Sequence, residues 1–127
     1  DSGAVDHVMP EHQAPMFPTK ETEVSRRGMY YVAANGGKIY NEGEQTVSGL
    51  NDEGGNMRLT MQVAQVSKPL AAVSKITQAG NVVYFDEGNS YIKHKKTGKV
   101  IKLIEEKGVY CFDLWVWEGF DLIRLGF

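Results

Sequence analysis

The stretch MYYVAANGGKIYNEG, residues 29–43, contains the strongest local folding signal in the chain. Two short apolar-rich segments, 29–34 and 38–43, flank Asn35-Gly36-Gly37. Asn-Gly favours a tight β-hairpin turn, because both central positions of that turn need positive φ and these residues tolerate it. The stretch therefore predicts a hairpin with Asn35-Gly36-Gly37 as its turn.

The same organisation continues along the chain. EQTVSGL (44–50) and MRLTMQVAQV (57–66) flank the turn NDEGGN, and apolar residues alternate with polar ones in the second segment. Further strands are predicted at NVVYFDE, SYIKHKK, KVIKLIEE and VYCFDLWV, with Lys96-Thr97-Gly98 as a turn. Fourteen glycines, spread through these turns, complete the pattern of a mainly β domain. The tail WEGFDLIRLGF lacks a clear period, so its sequence predicts no particular element.

One segment departs from strand patterning. In SKPLAAVSKITQAG (67–80), Ser67 can cap a helix, Pro69 suits its first turn, and Gly80 can end it. Leu70, Val73 and Ile76 recur at helical spacing. We therefore predict one short helix at about residues 68–79. Residues 5–28, with three of the four prolines, read instead as a long irregular connection on the surface.

Composition excludes several function classes. The chain has 127 residues, a net charge of −2 and no apolar run near the roughly 20 residues of a bilayer span. We therefore expect one domain, no membrane partner and no general attraction to nucleic acid. Cys111 is the single cysteine and lies in an apolar run, which favours an inert buried thiol and a reducing, intracellular compartment.

Two segments offer candidate binding residues, and each has a simpler structural interpretation. The lysine-rich segment YIKHKKTGKVIK (91–102) could bind nucleic acid, but only Tyr91 is an adjacent aromatic residue, so we expect solvent-facing lysines on an edge hairpin. His7 and His12, with Asp6 and Glu11, offer metal ligands on a proline-rich loop without fixed geometry. We predict no metal site and no cofactor.

The chain opens with DSGAVDH, and Asp-Ser-Gly-Ala is the type of loop that holds a catalytic Asp in aspartic proteases. Such chemistry needs two neighbouring carboxylates that share one proton. The loop motif occurs once and the chain has no internal repeat. A catalytic pair would therefore have to come from two chains.

Taken together, these segments resemble the aspartic protease region of Ty1/Copia-type retrotransposon polyproteins, a retropepsin-like family. The family patterns are D-S-G-A-x-x-H, A-D/N-G-x-x-I-x-x-x-G, L-L-S-V-x-x-L-x-x-x-G-x-x-V-x-F, K-x-T-G-K-x-I and G-L-Y-x-L. The matching segments are DSGAVDH (1–7), ANGGKI with the later glycine (34–39 and 43), LAAVSKITQAGNVVYF (70–85), KKTGKVI (95–101) and GVYCF (108–112). The resemblance covers residues 1 to about 116, with Ala71-Ala72 in place of Leu-Ser.

The resemblance implies a retropepsin-like closed β-barrel subunit at 1–116, followed by an unassigned C-terminal extension at 117–127. It implies an aspartic endopeptidase that acts as a homodimer on a polypeptide substrate, the polyprotein, in the cytoplasm or within retrotransposon particles. Asp1 would be the catalytic carboxylate, with Ser2, Gly3 and Ala4 supporting the active-site loop. The flap that closes over the peptide would be formed by Asn35, Gly36, Gly37 and Lys38.

Two expectations qualify this interpretation. The family has an apolar strand leading into the catalytic Asp, whereas here nothing precedes Asp1, so that strand is expected to be missing. A free α-amino group on Asp1 would also favour the ionised carboxylate. The alternative function is a catalytically silent retropepsin-like module for dimerisation or peptide binding.

Overall fold

The computed structural model describes residues 4–116 and 121–127, and the chain is mainly β, with 45% strand and 11% helix. The strands are β1 (Val8–Met9), β2 (Tyr30–Val32), β3 (Lys38–Tyr40), β4 (Gly43–Leu50), β5 (Asn56–Val63), β6 (Asn81–Tyr84), β7 (Tyr91–His94), β8 (Val100–Lys102), β9 (Ile104–Glu106), β10 (Val109–Val116) and β11 (Asp121–Gly126). The helices are α1 (Glu23–Arg26) and α2 (Val73–Gln78), with a 3-10 turn at Glu11–Gln13. None of the helices in the described ranges is long and apolar enough to cross a membrane.

A curled half-barrel sheet forms the centre of the molecule. Its strand order is β1-β5-β4-β10-β11, and β9 also pairs with β10. Two isolated bridges, Val8↔Leu70 and Leu70↔Gly126, connect the first strand of this order to the last. A two-stranded sheet of β2 and β3 and a three-stranded sheet of β6, β7 and β8 complete the β-structure.

The long β4–β5 hairpin follows the predicted alternation. Its strands pair antiparallel from Gly43↔Val63 to Leu50↔Asn56, and Met61 and Val63 are fully buried. At the turn, the Asn51 Oδ1 accepts hydrogen bonds from the backbone N–H groups of Glu53 and Gly55. The Asn side chain thus replaces the missing ladder partners, which is why this polar segment forms a defined turn.

The core lies inside the curled sheet. Its largest fully buried side chains include Phe112, Met9, Met61, Leu114, Ile123 and Leu125. Three of these come from parts of the chain for which the sequence predicted no buried element, namely Met9 in the proline-rich segment and Ile123 and Leu125 in the tail. The tail forms β11, which pairs with β10 from Cys111↔Gly126 to Val116↔Asp121.

The prediction that residues 5–28 are an irregular surface connection is wrong in part. Most of the segment is irregular, but Val8 and Met9 form β1, Glu23–Arg26 form the short helix α1 in addition to the one predicted, and Met9 and Ala14 are fully buried. Two residues are too few to show strand alternation, so the sequence pattern could not reveal β1.

The predicted helix is present but begins later than predicted. Ala72 precedes it in extended conformation with no side-chain cap, so neither Ser67 nor Pro69 belongs to its first turn. Leu70 instead bridges two strands of the sheet. The C-terminal end is confirmed, since Gly80 has a φ of +91° and its N–H donates to the Thr77 carbonyl.

KVIKLIEE was predicted as one strand, but the structure divides it into β8 and β9. β8 pairs with β7, whereas β9 pairs with β10 in the other sheet. Between them, the Leu103 N–H donates to the Ser90 carbonyl, and the chain changes sheets at this residue. The lysines of the β7–β8 hairpin are exposed, as predicted.

Candidate functional site

The predicted catalytic residue Asp1 and its neighbours Ser2 and Gly3 lie outside the described residues. Ala4 is the first described residue of the proposed loop and is half-buried. The chain then bends through Val5 and Asp6 before it enters β1. The structure therefore describes the end of the DSGAVDH motif and the segments that hold it, which we call the frame.

β1 is held on both sides as it leaves this motif. On one side it runs parallel to β5, and the Gln62 N–H donates to the His7 carbonyl at 2.7 Å. On the other side, Val8 and Leu70 exchange two backbone hydrogen bonds of 3.0 and 2.7 Å. The residues after the motif are thereby fixed between β5 and the segment that leads into α2.

His7 joins the same two parts of the chain through its side chain. The ring is buried, and its Nδ1 accepts a 3.0 Å hydrogen bond from the Ala72 N–H. Desolvation, aided by the Lys75 charge and opposed by Asp6, lowers the pKa of His7. The ring is therefore neutral near pH 7, and its proton is on Nε2, because Nδ1 is an acceptor. His7 thus has a structural role at the end of the motif.

This geometry also bears on the metal ligands that the sequence offered. The Nδ1 of His7 accepts the Ala72 N–H, so this atom is not free to bind a metal ion. Within 4–116 and 121–127, no three His, Cys, Asp or Glu side chains form a group suited to a metal ion.

The predicted hairpin is present as β2 and β3, but its turn differs from the prediction. The Ala33 N–H donates to the Gly37 carbonyl at 2.8 Å, which makes the loop longer than a two-residue turn. Only Gly36 has a positive φ, at +83°, while Asn35 instead accepts the Gly37 N–H on its Oδ1. Asn35 thus shapes the turn through its side chain rather than through a left-handed backbone.

The four predicted flap residues, Asn35, Gly36, Gly37 and Lys38, are all exposed at this tip. The Lys38 ammonium lies 4.6 Å from the centre of the Tyr30 ring, which places it against the hairpin itself. Tyr30, Val32 and Tyr40 are also exposed. The hairpin therefore has little packing to hold its outer half.

A polar network fixes the base of this hairpin to the DSGAVDH segment. The Tyr31 hydroxyl donates to the Asp6 carboxylate at 3.0 Å, and Asn41 donates to Tyr31 Oη at 3.3 Å and to Gln62 Oε1 at 2.8 Å. Asp6 also lies 3.7 Å from the Lys75 ammonium of α2. Asp6 and Asn41 thus connect the hairpin to β5, α2 and the motif segment.

The electrostatics of the network favour a neutral phenol. Burial, with a smaller contribution from the negative charge of Asp6, raises the pKa of Tyr31 to about 12, against the opposing effect of the Asn41 hydrogen bond. Tyr31 is therefore a hydrogen-bond donor to Asp6 throughout the physiological range. Sequence reasoning missed these residues, because isolated polar side chains in separate strands show no local spacing signal.

Cys111 is buried, as predicted, and burial raises the pKa of its thiol. A raised thiol pKa lowers the thiolate fraction, and the thiolate is the reactive form. Burial and the raised pKa both disfavour Cys111 as a nucleophile.

Comparisons with protein-family models, with curated proteins and with solved structures found no match to this chain.

Proposed function

We propose that the chain is the subunit of a homodimeric aspartic endopeptidase that processes a Copia-type retrotransposon polyprotein. The observation that supports this most is the contact between two of the segments that carry the resemblance to the family. DSGAVDH and LAAVSKI are far apart in sequence, yet the Val8–Leu70 and His7–Ala72 hydrogen bonds join them. A protease of this type needs such a fixed frame, because its catalytic carboxylates must meet in one geometry.

In the proposed mechanism, each subunit contributes Asp1 to one active site at the dimer interface. Two adjacent carboxylates cannot both remain ionised, so they share a proton and titrate as a pair. The ionised member takes a proton from water, and the protonated member donates to the scissile carbonyl. Ser2 would brace the loop, and Gly3 would allow the two loops to approach.

The β2–β3 hairpin is the proposed flap. Its exposed tip has few contacts, while Tyr31 and Asn41 fix its base to Asp6 and Gln62. A fixed base and a free tip suit a segment that opens for a peptide and closes over it. The bridges from Leu70 to Val8 and Gly126 likewise support the finer proposal of a closed, retropepsin-like barrel.

Peptide cleavage tests the proposed function. The protein would be made with an apolar N-terminal strand ahead of Asp1, so that the catalytic loop is internal, and assayed from about pH 4 to 7 against a broad peptide library. Asp1→Asn should reduce cleavage by at least about 100-fold, because it removes the acid–base pair. Asp86→Asn is the matched control, since Asp86 lies in the turn between β6 and β7, far in sequence from the motif.

Cleavage should also fall as the pH rises above the range in which the pair holds its shared proton. A folded, dimeric wild type that cleaves no library peptide would refute the proposal. That result would favour the catalytically silent module for dimerisation or peptide binding.

A further inference from the structure

A cleft of about 830 Å³ lies on the side of the molecule formed by β5, α2 and the β6–β8 sheet. Its lining contains none of the flap-tip residues. One wall is a run of consecutive β5 residues, from Asn56 to Thr60. Successive side chains of a strand point to opposite faces, so a cleft lined by consecutive residues faces the edge of the strand.

This edge of β5 is open over most of its length. The Gln62 N–H donates to His7 and the Ala64 N–H to Met9, so the even-numbered residues of β5 direct their backbone groups away from β4. β1 pairs only with Gln62 and Val63. In the part of the chain that the structure describes, no strand pairs with this edge at Arg58 and Thr60. Their N–H and C=O groups face the cleft.

The opposite wall is apolar, and the cleft is cationic. Ile76 of α2, Ile92 of β7 and Ile101 of β8 line that wall. The charged lining residues are Arg58, Lys75, Lys99, Asp6 and Glu53. Lys75 lies near Asp6, but the described residues contain no ion-pair partner for Arg58 or Lys99.

The side chain of His7 adds a second polar feature. His7 lines the cleft, is only 6% exposed, and uses Nδ1 as an acceptor for the Ala72 N–H. Its proton is therefore on Nε2, for which the described residues provide no acceptor. A ligand in the cleft could accept this hydrogen bond through a peptide carbonyl or a carboxylate.

We infer that this cleft binds an extended acidic peptide segment, which adds as a strand to the open edge of β5. The exposed edge from Asn56 to Met61 is about 20 Å long and accommodates about six extended residues. Backbone hydrogen bonds to Arg58 and Thr60 would hold the peptide, as in other cases of β-strand addition. Carboxylates of the peptide would pair with Arg58 and Lys99, while its apolar side chains contact the isoleucine wall.

The test is fluorescence anisotropy with a labelled hexapeptide of sequence Thr-Glu-Val-Glu-Val-Thr, blocked at both ends. The matched probe has Gln in place of each Glu, and a third probe has N-methyl groups on alternate amides. We expect saturable binding of the acidic probe, weaker by at least about tenfold with the Gln probe and lost with the methylated one, because it cannot extend the sheet.

Variants locate the site. Arg58→Gln with Lys99→Gln should weaken binding on the order of tenfold, from two partly exposed ion pairs. Lys93→Gln with Lys96→Gln removes the same charge from residues outside the cleft lining and should leave binding unchanged. Thr60→Pro, which removes one edge N–H, should abolish binding, whereas Thr60→Val should retain it.

Absence of saturable binding would overturn the inference, as would equal binding of the acidic and Gln probes. Retained affinity in the Arg58/Lys99 double variant would also overturn it. If Thr60→Pro instead abolishes self-association of the protein without peptide, the edge pairs with a second copy and the inference is wrong. None of these outcomes depends on Asp1 or on proteolysis, so the test is separate from that of the proposed function.

Discussion

Replacing Tyr31 with Phe removes the hydroxyl that connects the β2–β3 hairpin to Asp6. The aromatic ring, and with it the packing of the strand, remains. Asp6 keeps the Lys75 ammonium at 3.7 Å, and Asn41 keeps its hydrogen bond to Gln62. The substitution therefore removes one contact between the proposed flap and the motif segment, together with the longer hydrogen bond that Asn41 donates to Tyr31 Oη within the hairpin.

The expected cost follows from the geometry of this contact. A hydrogen bond to a charged group contributes about 1.5–3 kcal/mol to stability. Tyr31 is only half-buried and Asp6 retains a cation nearby, so we expect about 1–2 kcal/mol. Because few other contacts hold the hairpin, this cost should appear mainly as easier local opening of β2 and β3 rather than as loss of the whole fold.

Amide hydrogen exchange measures that opening. The Ala33 N–H donates to Gly37 and the Asn41 N–H to Met29, so the alternation of the ladder places the Ile39 N–H in a hydrogen-bonded pair with Tyr31. A change of about 1–2 kcal/mol predicts exchange of the Ile39 and Asn41 amides about 5 to 30 times faster. The amides of β10 should be unaffected.

Tyr40→Phe is the matched control. It removes a phenol hydroxyl from the same hairpin, but Tyr40 is 53% exposed and its hydroxyl has no hydrogen bond to a described residue. Equal acceleration of hairpin exchange in the two variants would refute the reasoning. Uniform acceleration across β10 in Tyr31→Phe would also refute it, since the contact would then stabilise the whole domain.

Three further predictions concern the frame and the core. Because the pKa of His7 is lowered in the folded protein, the unfolded chain binds more protons than the folded one at pH values below the ordinary pKa of 6.5. The free energy of unfolding should therefore fall from pH 7 to 5, by at most about 1.4 kcal/mol per pH unit from this group. His7→Asn can still accept the Ala72 N–H, and urea unfolding should show a smaller pH dependence for it; an unchanged slope would contradict the assignment. Gly49→Ala should cost about 1–3 kcal/mol in thermal unfolding, because its Cβ would lie 2.3 Å from the Trp115 carbonyl oxygen, and a cost no larger than that of Ser48→Ala would contradict this. Cys111 should react with a maleimide at the rate of global unfolding, and fast labelling of the folded protein would show that the thiol is accessible.

The strands that the sequence predicted well have a local cause for their structure. β5 alternates apolar and polar residues over its eight positions, and Asn51 supplies the turn hydrogen bonds that join it to β4. The hairpin tip at Asn35 and Gly36 was predicted for the same reason. In each case, neighbouring residues alone determine the conformation, so the local sequence is sufficient.

The incorrect predictions lie at positions whose conformation is set by contacts with residues distant in sequence. Leu70 has helical spacing to Val73 and Ile76, yet it is extended because Val8 and Gly126 bind it from either side. β11 was missed because its position depends on pairing with β10. At the candidate site, the contact of Tyr31 with Asp6 joins residues 25 positions apart, and nothing local indicates it.

The bridging position of Leu70 also bears on folding, because both of its partners are distant from it in sequence. The hairpins of β2–β3 and β4–β5 close short loops and can form early. The Leu70 segment can adopt its native pairing only when Val8 and Gly126, which lie far from it in sequence, have both come into place. Closing such long loops costs chain entropy, and the contacts that offset this cost form only after the loops have closed. During synthesis, the proposed flap can therefore form before β11 is available, whereas the frame around the DSGAVDH motif is complete only once β11 has paired with β10 and with Leu70.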